Sequence, residues 1–288
     1  MILRTDLALR DATDEDVPAI AALRESVEWA AHDWALRAVI GQPDARCVVV
    51  AGPDGSVAGV GSGIRYAPNL GFIGNMVVAE EHRRRGIGTA ILKAVADWLS
   101  DAGCTRLELN ATDEGRPLYE THGFETVGHS LVARIPREPS LVADPATETS
   151  LAKASDGARV AAYDRSRFGA DRGRILRLLL DDPECVTVLA EREGELAGYA
   201  VVRPPEPRLG PLVADVPEVA ATLVGRAFDL APAADEMRLN LPPGNRRGAE
   251  WLRAIGVGRA SWDGRMARGP AIDRREDTIY QMTVGPLG

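Results

Sequence analysis

Apolar and polar positions alternate at the start of the chain, where Leu3, Leu7 and Leu9 stand between polar residues, and this predicts a first strand over about 3–10. Thr13, with Asp16 three residues on and acids through the first turn, predicts a helix start, the helix running to about Val27. A short helix follows over about 31–40, then strands over about 46–51, 57–65 and 72–79. Ala90, Ile91, Ala94, Val95, Trp98 and Leu99 recur at helical spacing and predict a long helix over about 87–102, stopped by Gly103. A strand over 105–111, a helix over 115–122 and a strand over about 126–135 complete the series. Strands come before the long helix and alternate with helices after it, so the fold class is α/β or α+β with a mixed sheet.

The pattern then repeats. Residues 51–59 (AGPDGSVAG) and 190–198 (AEREGELAG) share an acid-Gly turn between apolar runs, a hairpin signal, at an offset of 139. Further matches keep the same order. Met76-Val77-Val78-Ala79-Glu80 aligns with Pro211-Leu212-Val213-Ala214-Asp215, and the long helical stripe aligns with Val219, Ala220, Leu223, Val224, Ala227 and Phe228. Leu118–Phe124 aligns with Trp251–Val257. A repeat of this period is a tandem duplication. Prolines 136, 139 and 145 among small and polar residues mark a linker over 139–148, between a first domain at 1–138 and a second at 149–288 whose first strand lies near Thr149–Ala154.

Composition narrows the classes. At 288 residues the chain has the length of about two domains, and 45% apolar residues suffice for a core in each. The net charge of −8 argues against a nucleic-acid partner held through phosphates. No apolar run is long enough to span a bilayer, and the charged start lacks a signal-peptide stretch, so a soluble cytoplasmic protein without membrane partners is expected. Cys47, Cys104 and Cys185 are widely spaced and the histidines show no ligand spacing, so neither a disulfide framework nor a metal site is expected.

The stretch that carries chemistry is Met76 to Thr89, where a strand ends, a basic turn follows and two glycines open the long helix. Amides at a helix N-terminus have no intrahelical acceptor and converge with the positive end of the dipole behind them, which favours an anion. Gly86 and Gly88 remove side chains that would keep a phosphate away from the backbone, and Arg84 and Arg85 add charged donors. A dinucleotide fingerprint would need Gly where Ile91 stands, and a phosphate-binding P-loop would need a lysine that is absent here.

Arg83, Gly86 and Gly88 fit the signature Arg-x-x-Gly-x-Gly, and Asn110 to Glu120 with Gly123-Phe124 adds a strand, helix and Tyr…Gly-Phe element. In these features residues 5–135 resemble the GNAT superfamily of acyl-CoA N-acyltransferases; Glu80 stands where that family usually has proline. The resemblance implies tandem domains, each a mixed, mostly antiparallel twisted sheet flanked by helices, and an acetyl-CoA-dependent N-acetyltransferase. It implies that the backbone of Met76 and Val78, with Val77 between them, pairs with the pantetheine arm of coenzyme A, admitted where the strands at about 72–79 and 105–111 splay. It places the pyrophosphate on the amides from Arg84 through Arg85, Gly86, Ile87 and Gly88 to Thr89, with Arg83 and Asn110 also on the cofactor side. Tyr119 would protonate the leaving thiolate. Glu28, Trp29, His32, Asp33 and Asn75 are candidates for the acceptor side, with Trp34 as a further wall, and the general base is not named.

Aligned by sequence, copy two has Glu218, Ala221 and Leu223 against Arg83, Gly86 and Gly88, and Leu252 against Tyr119, so it is expected not to bind coenzyme A in the same way. The partner expected is a small-molecule or peptide amine, taken by a monomer or homodimer. The alternative is an acyl-CoA-binding sensor or non-catalytic scaffold.

Overall fold

The structure, a computed structural model, describes residues 7–30, 33–137, 144–257 and 261–283. The expected positions Leu3 and His32 and much of the linker lie outside the described residues. The chain forms two compact units. Unit 1 takes the described residues to Glu125 and then Met266–Ala271, and unit 2 takes Thr126–Arg265 and the residues from Ile272. The units therefore cut across the order of the sequence repeat, because each includes a strand encoded in the other copy.

Unit 1 contains β1 (Ala8–Asp11), α1 (Val17–Glu25), α2 (Asp33–Val39), β2 (Ala45–Ala51), β3 (Val57–Tyr66), β4 (Leu70–Val78), α3 (Ile87–Asp101), β5 (Arg106–Ala111) and α4 (Arg116–Glu120). β1 to β4 pair antiparallel in chain order, β5 adds parallel to β4, and residues 266–268 lie beyond β5. The mixed, mostly antiparallel sheet flanked by helices is thus present. β2 shows why it is three layers: Val48 and Val50 pack with Ile91, Val95 and Leu99 of α3, while Cys47, Val49 and Ala51 pack with Val17, Ile20 and Leu36 of α1 and α2. The turn before α1 follows the expected signal: Asp16 accepts from the Thr13 amide at 2.8 Å and from both Arg10 nitrogens at 2.7 Å. The Arg10 hydrogen bonds hold the Asp16 carboxyl down at about 2.

Glycine sets how closely α3 lies on the sheet. A Cβ at Gly59 would stand 2.9 Å from Ile87 Cγ2, and one at Gly63 2.7 Å from Val95 Cγ1. One at Gly61 would overlap Ile91 and stand 2.7 Å from Met76 Sδ. The alternation Gly59-x-Gly61-x-Gly63 is therefore the floor on which the apolar face of α3 rests.

Unit 2 contains β6 (Glu125–Pro136), all but its first residue, β7 (Glu148–Leu151), α5 (Gly157–Phe168), α6 (Gly173–Asp181), β8 (Val186–Arg192), β9 (Glu195–Arg203), β10 (Arg208–Ala214), α7 (Pro217–Leu230), β11 (Glu236–Leu241) and α8 (Arg246–Ala254). β12 (Ser261–Arg268) divides between the units, and β13 (Ile279–Gln281) returns to unit 2. Its sheet runs β6-β11-β13-β10-β9-β8-β7. The repeated hairpin closes differently in the two copies. Glu193 and Gly194 both adopt positive φ, 54° and 80°, as a two-residue turn requires, whereas the first hairpin is longer and is closed by Gly52 N–H to Ser56 O at 2.9 Å. Among the described residues no helix is long and apolar enough to cross a membrane, and no cluster of His, Cys, Asp and Glu is arranged to hold a metal.

Two glycine substitutions should move stability in opposite directions. Gly61→Ala forces a methyl into the α3 contact and should cost about 1–3 kcal/mol. Gly225→Ala, inside α7 with no atom within 4 Å of the new Cβ, should stabilise by about 0.5–1 kcal/mol. Urea unfolding of both variants against the parent checks the signs.

Candidate active site

The site begins with an interrupted ladder. β4 and β5 pair at Leu70–Arg106, Gly71–Leu107 and Phe72–Glu108, and the pairing ends there. Just beyond, Asn75 and Met76 oppose the single residue Gly61 of β3, a bulge whose first residue has φ 55°. The bulge sits where β4 leaves β5, and among the described residues the β5-facing edge from Ile73 to Val78 has no strand partner. The pairing ends where the splay of the two strands is expected, and Met76, Val77 and Val78 lie beyond its last rung.

At the top of β4 the chain makes a short turn at Glu80–His82, passes through Arg84 at φ 60° and Gly86 at φ 80°, and enters α3. The first helical bond is Ala90 N–H to Gly86 O at 3.0 Å, so the amides of Ile87, Gly88 and Thr89 precede the intrahelical ladder. Gly88 also lies close to α4, since a Cβ there would stand 3.3 Å from Leu118 Cδ2. The three arginines separate in role. Arg83 turns back on the protein, its Nε donating to Val78 O at 3.2 Å and its Nη1 to Glu114 at 3.1 Å, which ties the turn to the end of β4. Arg84 and Arg85 are exposed beside the helix start.

Tyr119 lies on α4, buried, with its ring edge-on to Phe124 at 6.2 Å. Gly115 leaves room for that ring, as a Cβ there would come within 3.3 Å of it. Burial pushes the Tyr119 phenol up to about 12, so it keeps its proton at neutral pH. Burial likewise pushes the Cys47 thiol to about 12, the Cys185 thiol to about 11 and the Cys104 thiol upward, which leaves none of them an activated nucleophile.

The acceptor-side candidates divide. Asn75 is buried; its side-chain oxygen accepts from Arg24 Nη1 and its amide donates to Ser62 Oγ at 3.2 Å. It therefore pins the bulge from within. Glu28, at φ 61°, closes α1, and the Trp29 amide returns to Arg24 O at 3.0 Å. Glu28, Trp29 and Asp33 are exposed, Trp34 is half-buried, and the Arg24 guanidinium lies 5.6 Å from the Trp29 ring. His32 lies outside the described residues. Two contributors went unnoticed in the sequence. Arg24 interrupts the apolar face of α1 and is the buried link between Asn75 and the Ala30 carbonyl, 2.9 Å away. Glu108, buried at the last paired rung, accepts from Arg106 Nε at 3.0 Å; its alternation with Leu107 and Leu109 was the available signal.

The second copy aligns differently from the expectation. Gly59 faces Ile87 and Ile91 just as Gly198 faces Val219 and Leu223, and Ala79 N–H to Ala58 O matches Asp215 N–H to Ala197 O. Val219 and Leu223 are thus the counterparts of Ile87 and Ile91, and the pairing of Leu223 with Gly88 is overturned. Residues 80–86 separate Ala79 from Ile87, but only 216–218 separate Asp215 from Val219. The turn is four residues shorter, and Arg83 has no counterpart. Arg167 instead forks onto Asp215 at 2.9 and 3.0 Å, closing the short turn. Leu252 does hold the place of Tyr119, because Val257 N–H to Leu252 O repeats Phe124 N–H to Tyr119 O.

The Tyr119 phenol has an alkaline consequence. Its folded pKa lies above the ordinary value of 10, so the stability tied to its protonated form is intact below pH 10 and is lost as pH rises toward 12. Tyr119→Phe should therefore show a smaller drop in melting temperature between pH 9 and pH 11 than the parent.

Comparison with known proteins follows the same lines. The profile of the acetyltransferase (GNAT) family matches residues 9–124, and that of an acetyltransferase (GNAT) domain matches residues 160–281. The uncharacterised N-acetyltransferase YitH of Bacillus subtilis (strain 168) is 31% identical over 180 residues, 60% of this chain and 61% of that one, so the chain spans under two thirds of that relative. An aminoglycoside N(6′)-acetyltransferase type 1 of Stenotrophomonas maltophilia is 28% identical over 46% of this chain and 95% of its own length. A crystal structure from Pyrococcus horikoshii shares the fold at a TM-score of 0.79 with 23% identity, covering 99% of this chain and 96% of that one. A tandem GNAT protein from the clavulanic acid biosynthesis pathway does so at 0.65 with 13% identity, covering 92% of this chain and 100% of that one. With a GNAT profile on each copy and the GNAT fold across the whole chain, the protein belongs to the GNAT acetyltransferase family as a tandem member.

Proposed function

We propose that unit 1 transfers the acetyl group of acetyl-CoA directly to a primary amine of a small-molecule or peptide acceptor. The observation that carries this reading is the β4 edge that, among the described residues, has no strand partner beyond Phe72 and leads to the amides at the start of α3. An extended arm ending in a pyrophosphate needs both: backbone groups to pair along, then a concave run of N–H donors with positive charge nearby. The β4 edge at Met76–Val78 and the β5 edge at Asn110 would hold the pantetheine, and the amides from Arg84 to Thr89, with the Arg84 and Arg85 side chains, would hold the pyrophosphate. Arg83 supports this by fixing the turn to Val78 and Glu114. Gly86 and Gly88 keep the approach to the backbone clear.

Acetyl-CoA bound there supplies an activated thioester. Tyr119 holds a proton at its hydroxyl for the departing thiolate, and its raised pKa keeps that proton available at neutral pH. The raised cysteine thiols support direct transfer over a covalent relay. The net charge of −8 favours a cationic acceptor, and the Stenotrophomonas relative's name makes aminoglycosides the first class to try, followed by polyamines and amino acids.

Calorimetry with acetyl-CoA tests the cofactor site: Gly88→Trp should abolish binding, and unchanged affinity would remove the assignment. Thiol release over a panel of amines tests the reaction. Tyr119→Phe should lower kcat by about 10²-fold or more with near-parental acetyl-CoA affinity, the size expected for loss of a positioned acid; an unchanged kcat would remove its role.

A further inference from the structure

We propose that unit 2 keeps the same slot between its sheet edges and fills it permanently with its own strand β13, a strand-acceptor site whose ligand is this chain. The proposal rests on the reading of the β4–β5 opening as the place of an extended arm. β10 and β11 are the counterparts of β4 and β5. Val213 pairs with Tyr199 as Val77 pairs with Val60, so Leu212 and Val213 stand where Met76 and Val77 stand in unit 1. On β11 the buried series Met237, Leu239, Leu241 repeats Leu107, Leu109, Ala111, which makes Asn240 the counterpart of Asn110. β10 also carries a bulge, with Gly210 and Pro211 opposite Val201.

In unit 1 the corresponding edges part. In unit 2, β13 lies between them, antiparallel to β10 at Leu212–Gln281 and Val213–Ile279, and parallel to β11 at Asn240–Gln281. The Gln281 side chain completes the pairing, its oxygen accepting from the Asn240 amide at 2.6 Å. The strand is held along its length. Asn245 Nδ2 donates to Ile279 O at 2.8 Å, and Tyr280 packs edge-on to Trp251 at 5.9 Å. Arg172 Nη1 donates to Met282 O at 2.7 Å while the same guanidinium forks onto Asp164 at 2.8 Å twice, with Tyr199 donating to that carboxylate. Thr278, Ile279 and Tyr280 are fully buried. A side chain at Gly210 would meet Gln281 Cγ at 2.6 Å, so β10 is shaped to take β13 at close range. Strand addition of this kind pairs backbone groups on both edges and occupies the place that an extended cofactor arm would take.

Hydrogen exchange on the full chain, with and without acetyl-CoA, tests this. Without ligand, the amides of residues 279–281 and 212–214 should exchange at least about 100-fold more slowly than a free peptide; exchange at the free-peptide rate overturns the proposal. Added acetyl-CoA should slow residues 73–78 and leave 209–214 unchanged, with calorimetry giving one equivalent per chain. Slowing at 209–214, or two equivalents, overturns the proposal. Slowing at neither site removes the reading of unit 1 instead, and the slow exchange of β13 then supports the strand site alone. Gln281→Pro, which removes a backbone donor and the contact to Asn240, should speed exchange on β10 and β11 together; faster exchange at 279–281 with both neighbours unchanged would overturn the bridging role.

Discussion

A sheet that stops pairing in mid-strand leaves backbone donors and acceptors that must find other partners. That constraint organises this protein. In unit 1 the β4–β5 ladder ends after three rungs, and the bulge at Asn75-Met76 turns β4 away. The bulge is itself supported from below, by Arg24 and Ser62 on the Asn75 side chain, and the glycine floor of β3 lets α3 press against the same region. In unit 2 the same topology has the same gap to fill, and β13 fills it.

The two copies differ most in the turn that enters the long helix. The turn from Ala79 to Ile87 has length enough to present amides and two exposed arginines at the start of α3. The turn from Asp215 to Val219 is four residues shorter and is closed by an Arg167–Asp215 fork. A shorter turn changes the helix entry more deeply than a substitution would, because no side-chain change restores the missing backbone. Around these differences the frame is kept: Leu252 holds the place of Tyr119, an aliphatic side chain where the first copy has a phenol.

Much of this was legible in local pattern. The helical stripe of α3, the strands of the first copy, the acid-Gly hairpins and the Gly86-Ile87-Gly88 helix entry are short-range signals that depend on neighbouring residues. The site residues were harder to read. Arg83 reads as a cofactor-side signature residue, yet its guanidinium bonds Val78 and Glu114. Asn75 reads as a polar residue facing a ligand, yet it is buried on Arg24, fifty-one positions away. The register of the repeat slipped in the second copy because a four-residue deletion inside a turn leaves apolar spacing on both sides intact, so several alignments fit the helix equally well.

The sequence by itself determined the class of fold, the duplication and the presence of an anion-favouring helix start in one copy, since each rests on periodicity or on residues adjacent in the chain. Only the tertiary structure decided which strands share a unit, which arginines remain available, and that residues 279–281 complete a sheet begun far earlier in the chain. Strand pairing carries almost no local signature: any short apolar segment can bond to any open edge, and the choice is made by burial, register and the clamps at Asn245 and Arg172, which come together only when the whole chain has folded.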